Sequence, residues 1–157
     1  MMQSKQLRKG QVFQVPGTIV TFLAVATDTH GAFSLFEYRV APGQGIPFHT
    51  HNDDEAFLIL EGSIQFQVGD QQLRLEPGEF TFVARHTPHM YRNANAEQEG
   101  RMVAITLPAG YHEQFFAEIG EPEANASAAF STKPLDIEKI VAAGKLYGFE
   151  ILPPPSV

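Results

Sequence analysis

Between Thr18 and Pro108 the chain is a series of short segments rich in β-branched and aromatic residues, separated by turns that contain glycine or proline. Apolar and polar residues alternate within several segments, as in GSIQFQVG at 62–69, and this period of two is typical of strands. About ten residues separate successive segments, without helical patterns between them, which indicates an antiparallel sandwich or barrel. The predicted strands lie at 18–26, 32–40, 47–51, 55–60, 62–69, 71–76, 79–84, 88–93 and 100–108.

The sequence changes character after Pro108. Residues 111–120, YHEQFFAEIG, are predicted to form a short helix, and a polar connector of small residues follows. A second helix is predicted over 135–148, with Asp136 as its N-cap. Its predicted buried stripe consists of Ile137, Ile140 and Val141, and its predicted end is either Gly144 or Gly148.

Length and composition limit the class of protein. A chain of 157 residues suits one domain, so we predict a β-barrel domain with an N-terminal arm at 1–110 and a helical appendage packed on it at 111–157. The net charge of −7 and the scattered basic residues argue against a nucleic-acid partner. The absence of cysteine excludes disulfides and thiolate metal sites. Without a secretory signal or an apolar run of ~20 residues, we expect no membrane association and a cytoplasmic location.

Two of the six histidines stand one residue apart in the stretch GQGIPFHTHNDDEAFLILEG, residues 43–62. On an extended segment, His49 and His51 point the same way because strand side chains alternate between faces. Imidazole and carboxylate are good ligands for divalent first-row metals. We therefore predict His49, His51 and Glu55 as metal ligands, with Asp54 as the substitute for Glu55 if the register differs.

A later segment, ARHTPHMYRN at 84–93, supplies His89 as the fourth predicted ligand. His86 precedes it by three residues and belongs to the opposite face of a regular strand, so it is interpreted as a turn or surface residue, with a place in the pocket left open. Arg92 and Asn93 are predicted to be structural, and His30 and His112 are assigned no role.

These residues resemble the two sequence motifs of the cupin family. The second motif, G-x5-P-x-G-x-x-H-x-x-x-N, is matched at Gly78, His89 and Asn93, whereas Ala84 and His86 stand where proline and glycine are usual. Those two departures affect a turn and not a ligand. The wider sequence resembles bacterial single-domain cupins of the quercetin-dioxygenase-like group. The first motif is matched at every defined position, by Gly43, His49, His51, Glu55 and Gly62.

The resemblance implies an all-β fold, the double-stranded β-helix or jelly-roll barrel, here with short C-terminal helices. It also implies one divalent transition metal (Fe, Mn, Ni, Cu or Zn), bound inside the barrel by three histidines and one glutamate. Homodimers are frequent in the family, so a homodimer is expected.

Three functions are compatible with this pattern. The first is a quercetinase-like dioxygenase acting on a phenolic or enolisable small molecule, with Glu55 also accepting a proton as the catalytic base. The second is a metal-dependent isomerase, lyase or hydrolase of a small metabolite, and the third is a non-catalytic cupin that binds a small ligand or a metal. An apolar or aromatic ligand is favoured by the residues in and beside the motif strands, namely Phe48, Phe57, Phe80, Phe82, Met90 and Tyr91, and by Phe115 and Phe116 on the first helix.

Overall fold

Two antiparallel β-sheets form most of the molecule in the computed structural model, which describes residues 5–155. The seven-stranded sheet has the order β11-β1-β2-β3-β10-β5-β8, and the five-stranded sheet has the order β12-β4-β9-β6-β7. The strands are β1 (Val12–Val15), β2 (Thr18–Ala24), β3 (Ser34–Val40), β4 (Gly45–Thr50), β5 (Asp54–Glu61), β6 (Ile64–Val68), β7 (Gln71–Leu75), β8 (Phe80–Val83), β9 (His89–Asn93), β10 (Gly100–Leu107), β11 (Glu121–Glu123) and β12 (Glu150–Ile151).

The predicted all-β fold, a double-stranded β-helix with short C-terminal helices, is confirmed. The two α-helices are α1 (Tyr111–Ile119) and α2 (Ile137–Tyr147), and a short 3-10 helix spans Ala26–Asp28. Within residues 5–155, neither helix has the length and apolar character required to cross a membrane.

The core is formed by side chains at alternate positions along the strands. In β3 and β10 every second residue is buried, because one face of each strand points between the two sheets and the other points outward. A cluster of aromatic and aliphatic side chains fills this space, and its fully buried members include Phe22, Phe36, Phe57, Ile59, Ile64 and Met102.

The segment after Pro108 contributes to both sheets. β11 pairs with β1, a strand that precedes the predicted series, and β12 pairs with β4. A second apolar cluster of Phe115, Ile140, Ala143 and Phe149 joins the two helices to this segment. The division into a barrel at 1–110 and an appendage at 111–157 stays a prediction.

The second helix begins where it was predicted and buries a different face. The Asp136 side chain accepts a hydrogen bond from the Lys139 amide at 3.1 Å, and the helix ends at Gly148, whose φ of 81° is left-handed. The predicted stripe was wrong in part, since Ile137 is 50% exposed and Val141 is 40% exposed. The buried face consists of Ile140, Ala143 and Gly144 because the small residues permit close contact with Phe149.

Candidate metal centre

The four predicted ligands converge between the two sheets. His49 lies near the end of β4 and pairs across the ladder with His89, the first residue of β9. His51 follows β4 directly, and Glu55 is the second residue of β5, in the opposite sheet. All four side chains are buried, with relative exposures of 1–7%. The barrel thus brings together residues from three strands that are up to forty positions apart in the chain.

The potential ligand atoms of these residues lie close together. The Nε2 atoms of His51 and His89 are 3.1 Å apart. Glu55 Oε1 lies 3.1 Å from His51 Nε2 and 3.6 Å from His89 Nε2. Ligand atoms of His49, His51 and His89 all lie within 4.8 Å of one another. This spacing allows one ion to contact the three histidines, with Glu55 Oε1 beside two of them.

The other nitrogen of each of these histidines contacts a backbone carbonyl two residues away. The distances are 2.8 Å from His49 Nδ1 to Pro47 O, from His51 Nδ1 to Asp53 O and from His89 Nδ1 to Thr87 O. A carbonyl only accepts hydrogen bonds, so each Nδ1 carries a proton, and Nε2 is the nitrogen that remains to bind a metal ion.

This donor set fits a divalent metal. Two lone pairs 3.1 Å apart, beside a carboxylate oxygen, repel one another unless a cation or a proton lies between them. Three neutral imidazoles and one carboxylate are the ligand types that first-row transition metals bind. Backbone carbonyls that fix the ring orientation are the usual outer contacts of metal-binding histidines.

His112 and Asp53 also belong to this centre, although the sequence assigned no role to His112 and singled out Glu55 and Asp54 among the acidic triple. His112, the second residue of α1, places Nδ1 2.6 Å from Asp53 Oδ2 and Nε2 3.5 Å from Glu55 Oε2. Both residues are buried. The sequence does contain a signal for His112, since it stands three, four and seven positions before Phe115, Phe116 and Ile119, on the apolar face of the helix.

Buried charges around Glu55 favour its ionised form. Burial alone would raise the pKa of Glu55, but His112, His51 and His89 hold that pKa well below its usual range. Burial lowers the pKa of His112, yet Asp53 and Glu55 outweigh this effect and raise it to about 10. Burial, together with the neighbouring rings of His89 and His51, lowers the pKa of His49 well below its usual range. The centre therefore offers an anionic carboxylate and a neutral His49.

The remaining predicted residues lie outside the convergent group. Asp54, the substitute for Glu55, accepts hydrogen bonds from the Arg85 backbone and side chain at 2.8–3.2 Å, and so faces away from the histidines. His86 is exposed in a turn with a φ of 66°, in agreement with the turn interpretation. Arg92 and Asn93 contact backbone carbonyls of the loop that precedes β4, which agrees with structural roles.

An apolar cavity of about 80 Å³ opens next to the centre. Its polar lining includes His49, Glu55, His112 and the hydroxyl-bearing Tyr38 and Tyr91. The C-terminal segment covers its other side, where the rings of Phe115 and Phe149 stack with centroids 4.0 Å apart. Its apolar lining includes Ile46, Phe115, Phe116, Ile119, Leu135, Ile140, Phe149 and Ile151.

Three of the eight apolar and aromatic residues expected around a ligand line the cavity, and five do not. Tyr91, Phe115 and Phe116 line the cavity, as predicted. Phe80 and Phe82 point outward from β8 and are 60% and 52% exposed, because strand alternation gives the inward positions to Thr81 and Val83. The remaining three line no part of the cavity: Phe57 is in the core, Phe48 is half-buried, and Met90 borders a groove on the outer face of the five-stranded sheet.

Comparisons with known proteins agree with this architecture. An RmlC-like cupin from Shewanella frigidimarina NCIMB 400 shares the fold, with a TM-score of 0.56 and 17% identity, and the match covers 69% of this chain and 96% of that chain. KdgF from Halomonas sp. shares it with a TM-score of 0.55 and 18% identity, and the match covers 62% of this chain and 86% of that chain.

The sequence comparisons match part of the chain to a known domain. A quercetin 2,3-dioxygenase of Bacillus subtilis (strain 168) is 32% identical over 101 residues, which make up 64% of this chain and 29% of that protein. The chain therefore spans less than a third of the length of this relative. Residues 36–106 match the family model Cupin_2, a cupin domain. This range includes all four predicted ligands: His49 on β4, His51 directly after it, Glu55 on β5 and His89 on β9. Over residues 36–106 this chain therefore carries a cupin domain.

Proposed function

We propose that this cupin is a metal-dependent dioxygenase of the quercetinase type, which acts on a phenolic or enolisable small molecule. His49, His51, Glu55 and His89 would bind one divalent transition metal: Fe, Mn, Ni, Cu or Zn. The observation that carries the proposal is the convergence of His49, His51 and His89, with the Glu55 carboxylate beside two of them, next to an apolar cavity. The partial match to a quercetin 2,3-dioxygenase supports the same reaction class.

The residues of the chain suit this chemistry. A metal with a free coordination position would supply Lewis-acid and redox chemistry to an oxygen atom of the ligand. Glu55 is held ionised at the edge of the cavity, where it can accept the proton of a substrate hydroxyl. The apolar walls exclude water from that proton transfer and orient a planar ring.

The cavity volume restricts the substrate. Its 80 Å³ is well below the ~300–1,000 Å³ of ordinary small-molecule pockets. We therefore propose that a single-ring phenol or a small enolisable compound fits the closed form. A flavonol would require the C-terminal segment to move.

Elemental mass spectrometry tests the metal site first. Tag-free protein purified without chelators is expected to contain nearly one metal per chain, and His51→Ala and His89→Ala are expected to lose it. His30→Asn is the control, because His30 is exposed and its φ of 54° is one that asparagine adopts readily. If the parent protein bound no metal even after reconstitution, the site and the reaction proposed for it would both be rejected.

Oxygen dependence then tests the reaction. The metal-loaded protein is offered flavonols and single-ring catechols or enediols, and oxygen consumption is measured beside product formation. Oxygen-dependent turnover that is lost in Glu55→Gln is the expected result. Turnover under strict anaerobiosis would instead favour an isomerase, lyase or hydrolase, and metal binding without turnover would favour a binding protein.

We also propose that the protein is a homodimer joined through β8. This strand is the last in the seven-stranded sheet, and Phe80 and Phe82 extend outward from it beside the 39% exposed Leu58 of β5. An exposed apolar strip on an edge strand is a surface that proteins usually cover. A second copy related by a twofold axis can cover this strip face to face with the same strip, because a twofold interface brings the same residues of both copies together.

A further inference from the structure

We infer that His112, held by Asp53, is a positioning residue for Glu55, so that the C-terminal segment completes the metal centre. The inference rests on the proposed metal site, and it concerns the way in which the carboxylate is presented to the metal.

The two oxygens of Glu55 face different partners. Oε1 is directed at the histidine Nε2 atoms, 3.1 Å from His51 and 3.6 Å from His89. Oε2 is directed at the other wall, 3.3 Å from the Tyr38 hydroxyl and 3.5 Å from His112 Nε2. A carboxylate held in this orientation offers the metal one oxygen and keeps the second for other contacts.

His112 is fixed at its far end. Its Nδ1 lies 2.6 Å from Asp53 Oδ2, so each ring nitrogen faces a carboxylate oxygen. The ring also packs against Phe149, at 4.8 Å between centroids, and against His51, at 4.6 Å. A ring held from three sides cannot swing away from Glu55 without breaking the contact with Asp53.

The start of α1 is anchored independently by the next residue. Glu113 is buried, and its carboxyl oxygens accept hydrogen bonds from the Gly110 amide at 2.8 Å and the Ala26 amide at 2.7 Å. The Ser34 hydroxyl donates to the same carboxyl group. The helix therefore delivers His112 to a defined position between Asp53 and Glu55.

Loss of the His112 contact leaves Glu55 Oε2 with the Tyr38 hydroxyl as its one remaining partner on this wall, at 3.3 Å. The carboxylate can then rotate, or bind the metal through both oxygens, and metal affinity falls because the ligand is no longer preorganised. Outer contacts of this kind are worth about 10- to 100-fold in metal affinity. Asp53 is the less informative target, since its carboxylate also lies 2.9 Å from Nδ1 of the proposed ligand His51.

A double-mutant cycle with Co²⁺ as the probe tests the inference. His112→Phe keeps an aromatic ring beside Phe149 and removes both nitrogens, and His112→Gln retains an amide NH2 group as a donor. Each is made in the parent and in Glu55→Gln. The dissociation constant for Co²⁺ is measured by competition with a chelating dye, and the visible spectrum of the Co²⁺ form is recorded. His30→Asn is the control, and circular dichroism checks folding.

The expected result is a loss of affinity of about 10- to 100-fold for His112→Phe, a smaller loss for His112→Gln, and a change below about 3-fold for either in Glu55→Gln. The visible bands of Co²⁺ should weaken in His112→Phe as the coordination number rises. Equal losses in both backgrounds would make His112 an independent contributor and overturn the inference, as would no loss in the parent. If His112→Phe does not fold, His112→Gln decides alone.

These measurements need no turnover. Absence of oxygen-dependent activity would reject the proposed reaction and leave the positioning role of His112 intact, whereas an additive cycle would reject that role alone.

Discussion

Hydrogen-bond partners distinguish the histidines of this molecule at the residue scale. His49, His51 and His89 each donate Nδ1–H to a carbonyl two residues away, which leaves Nε2 as the inward lone pair. His112 instead faces carboxylate oxygens with both nitrogens. The first arrangement suits direct binding of a metal, and the second suits control of a neighbouring carboxylate.

Substitution of Asp54 is expected to leave metal binding unchanged. Its carboxylate is paired with Arg85 on the exposed side of β5, whereas the adjacent Glu55 is directed inward because strand side chains alternate. Asp54→Asn should keep the metal content of the parent, and the matched Glu55→Gln should lower the affinity at least tenfold. Elemental analysis after dialysis against a weak chelator measures both. Loss of metal in Asp54→Asn would mean that the register of β5 differs.

The local sequence was sufficient to select four residues that converge at the centre, because strand geometry or a motif position singles out each of them. His49 and His51 share a face by parity, and His89 and Glu55 stand at defined places in the motifs. His112 and Asp53 meet across 59 positions of the chain, so no local period connects them. Only the apolar face shared with Phe115 and Phe116 indicated that His112 is buried.

At the scale of single elements, α1 depends on a buried carboxyl group. Glu113→Ala removes the acceptor used by the half-buried Ala26 and Gly110 amides and by the buried Ser34 hydroxyl, and leaves these donors without that partner. We expect a loss of about 3 kcal/mol in the free energy of unfolding. Glu118→Ala on the same helix is the control, since its ion pair with Lys5 is surface-exposed and worth at most about 1 kcal/mol. Urea denaturation compares the two, and equal small losses would mean that Glu113 does not anchor the helix.

Substitution of Gly144 in α2 tests whether helix propensity or close packing has the larger effect on stability. Alanine at an exposed helical position stabilises a helix by about 1 kcal/mol relative to glycine. At Gly144, however, an added Cβ would lie 2.4 Å from the carbonyl oxygen of Phe149. Gly144→Ala is therefore expected to destabilise the protein by about 1–3 kcal/mol, measured by thermal unfolding. A higher melting temperature than the parent would show that the helix does not approach Phe149 so closely.

The same close contact explains the misplaced apolar stripe. A period of 3.6 residues favoured Ile137, Ile140 and Val141 as the buried set, since these branched apolar residues stand three and four positions apart. Tertiary packing instead selected the face that carries Ala143 and Gly144, which permits the closest approach to the chain. A hydropathy pattern selects large apolar residues as the buried face, so it does not predict a contact that requires small residues.

At the scale of the whole molecule, the C-terminal segment has a structural role that its position in the sequence did not predict. The series of strand patterns predicted the barrel, yet the last fifty residues supply an outer strand to each sheet, a wall of the cavity and His112. β11 and β12 are only three and two residues long, so no alternating pattern reveals them. Their pairing is set by contacts with distant strands.

The β8 surface leads to the last prediction, which concerns assembly. The subunit has a mass of 17.3 kDa, and the protein is expected to sediment at twice that mass. Dimerisation removes the exposed rings of Phe80 and Phe82 from water by burying them against the same residues of a second copy. Phe82→Lys should raise the dimer dissociation constant at least tenfold, since burial of an unpaired ammonium group opposes association. Leu146→Lys is the control, because Leu146 is 53% exposed and lies on α2 rather than on the sheet edge. Sedimentation velocity across a range of concentrations measures both variants. A monomeric parent would reject the dimer, and dissociation caused by Leu146→Lys alone would transfer the interface to the helix.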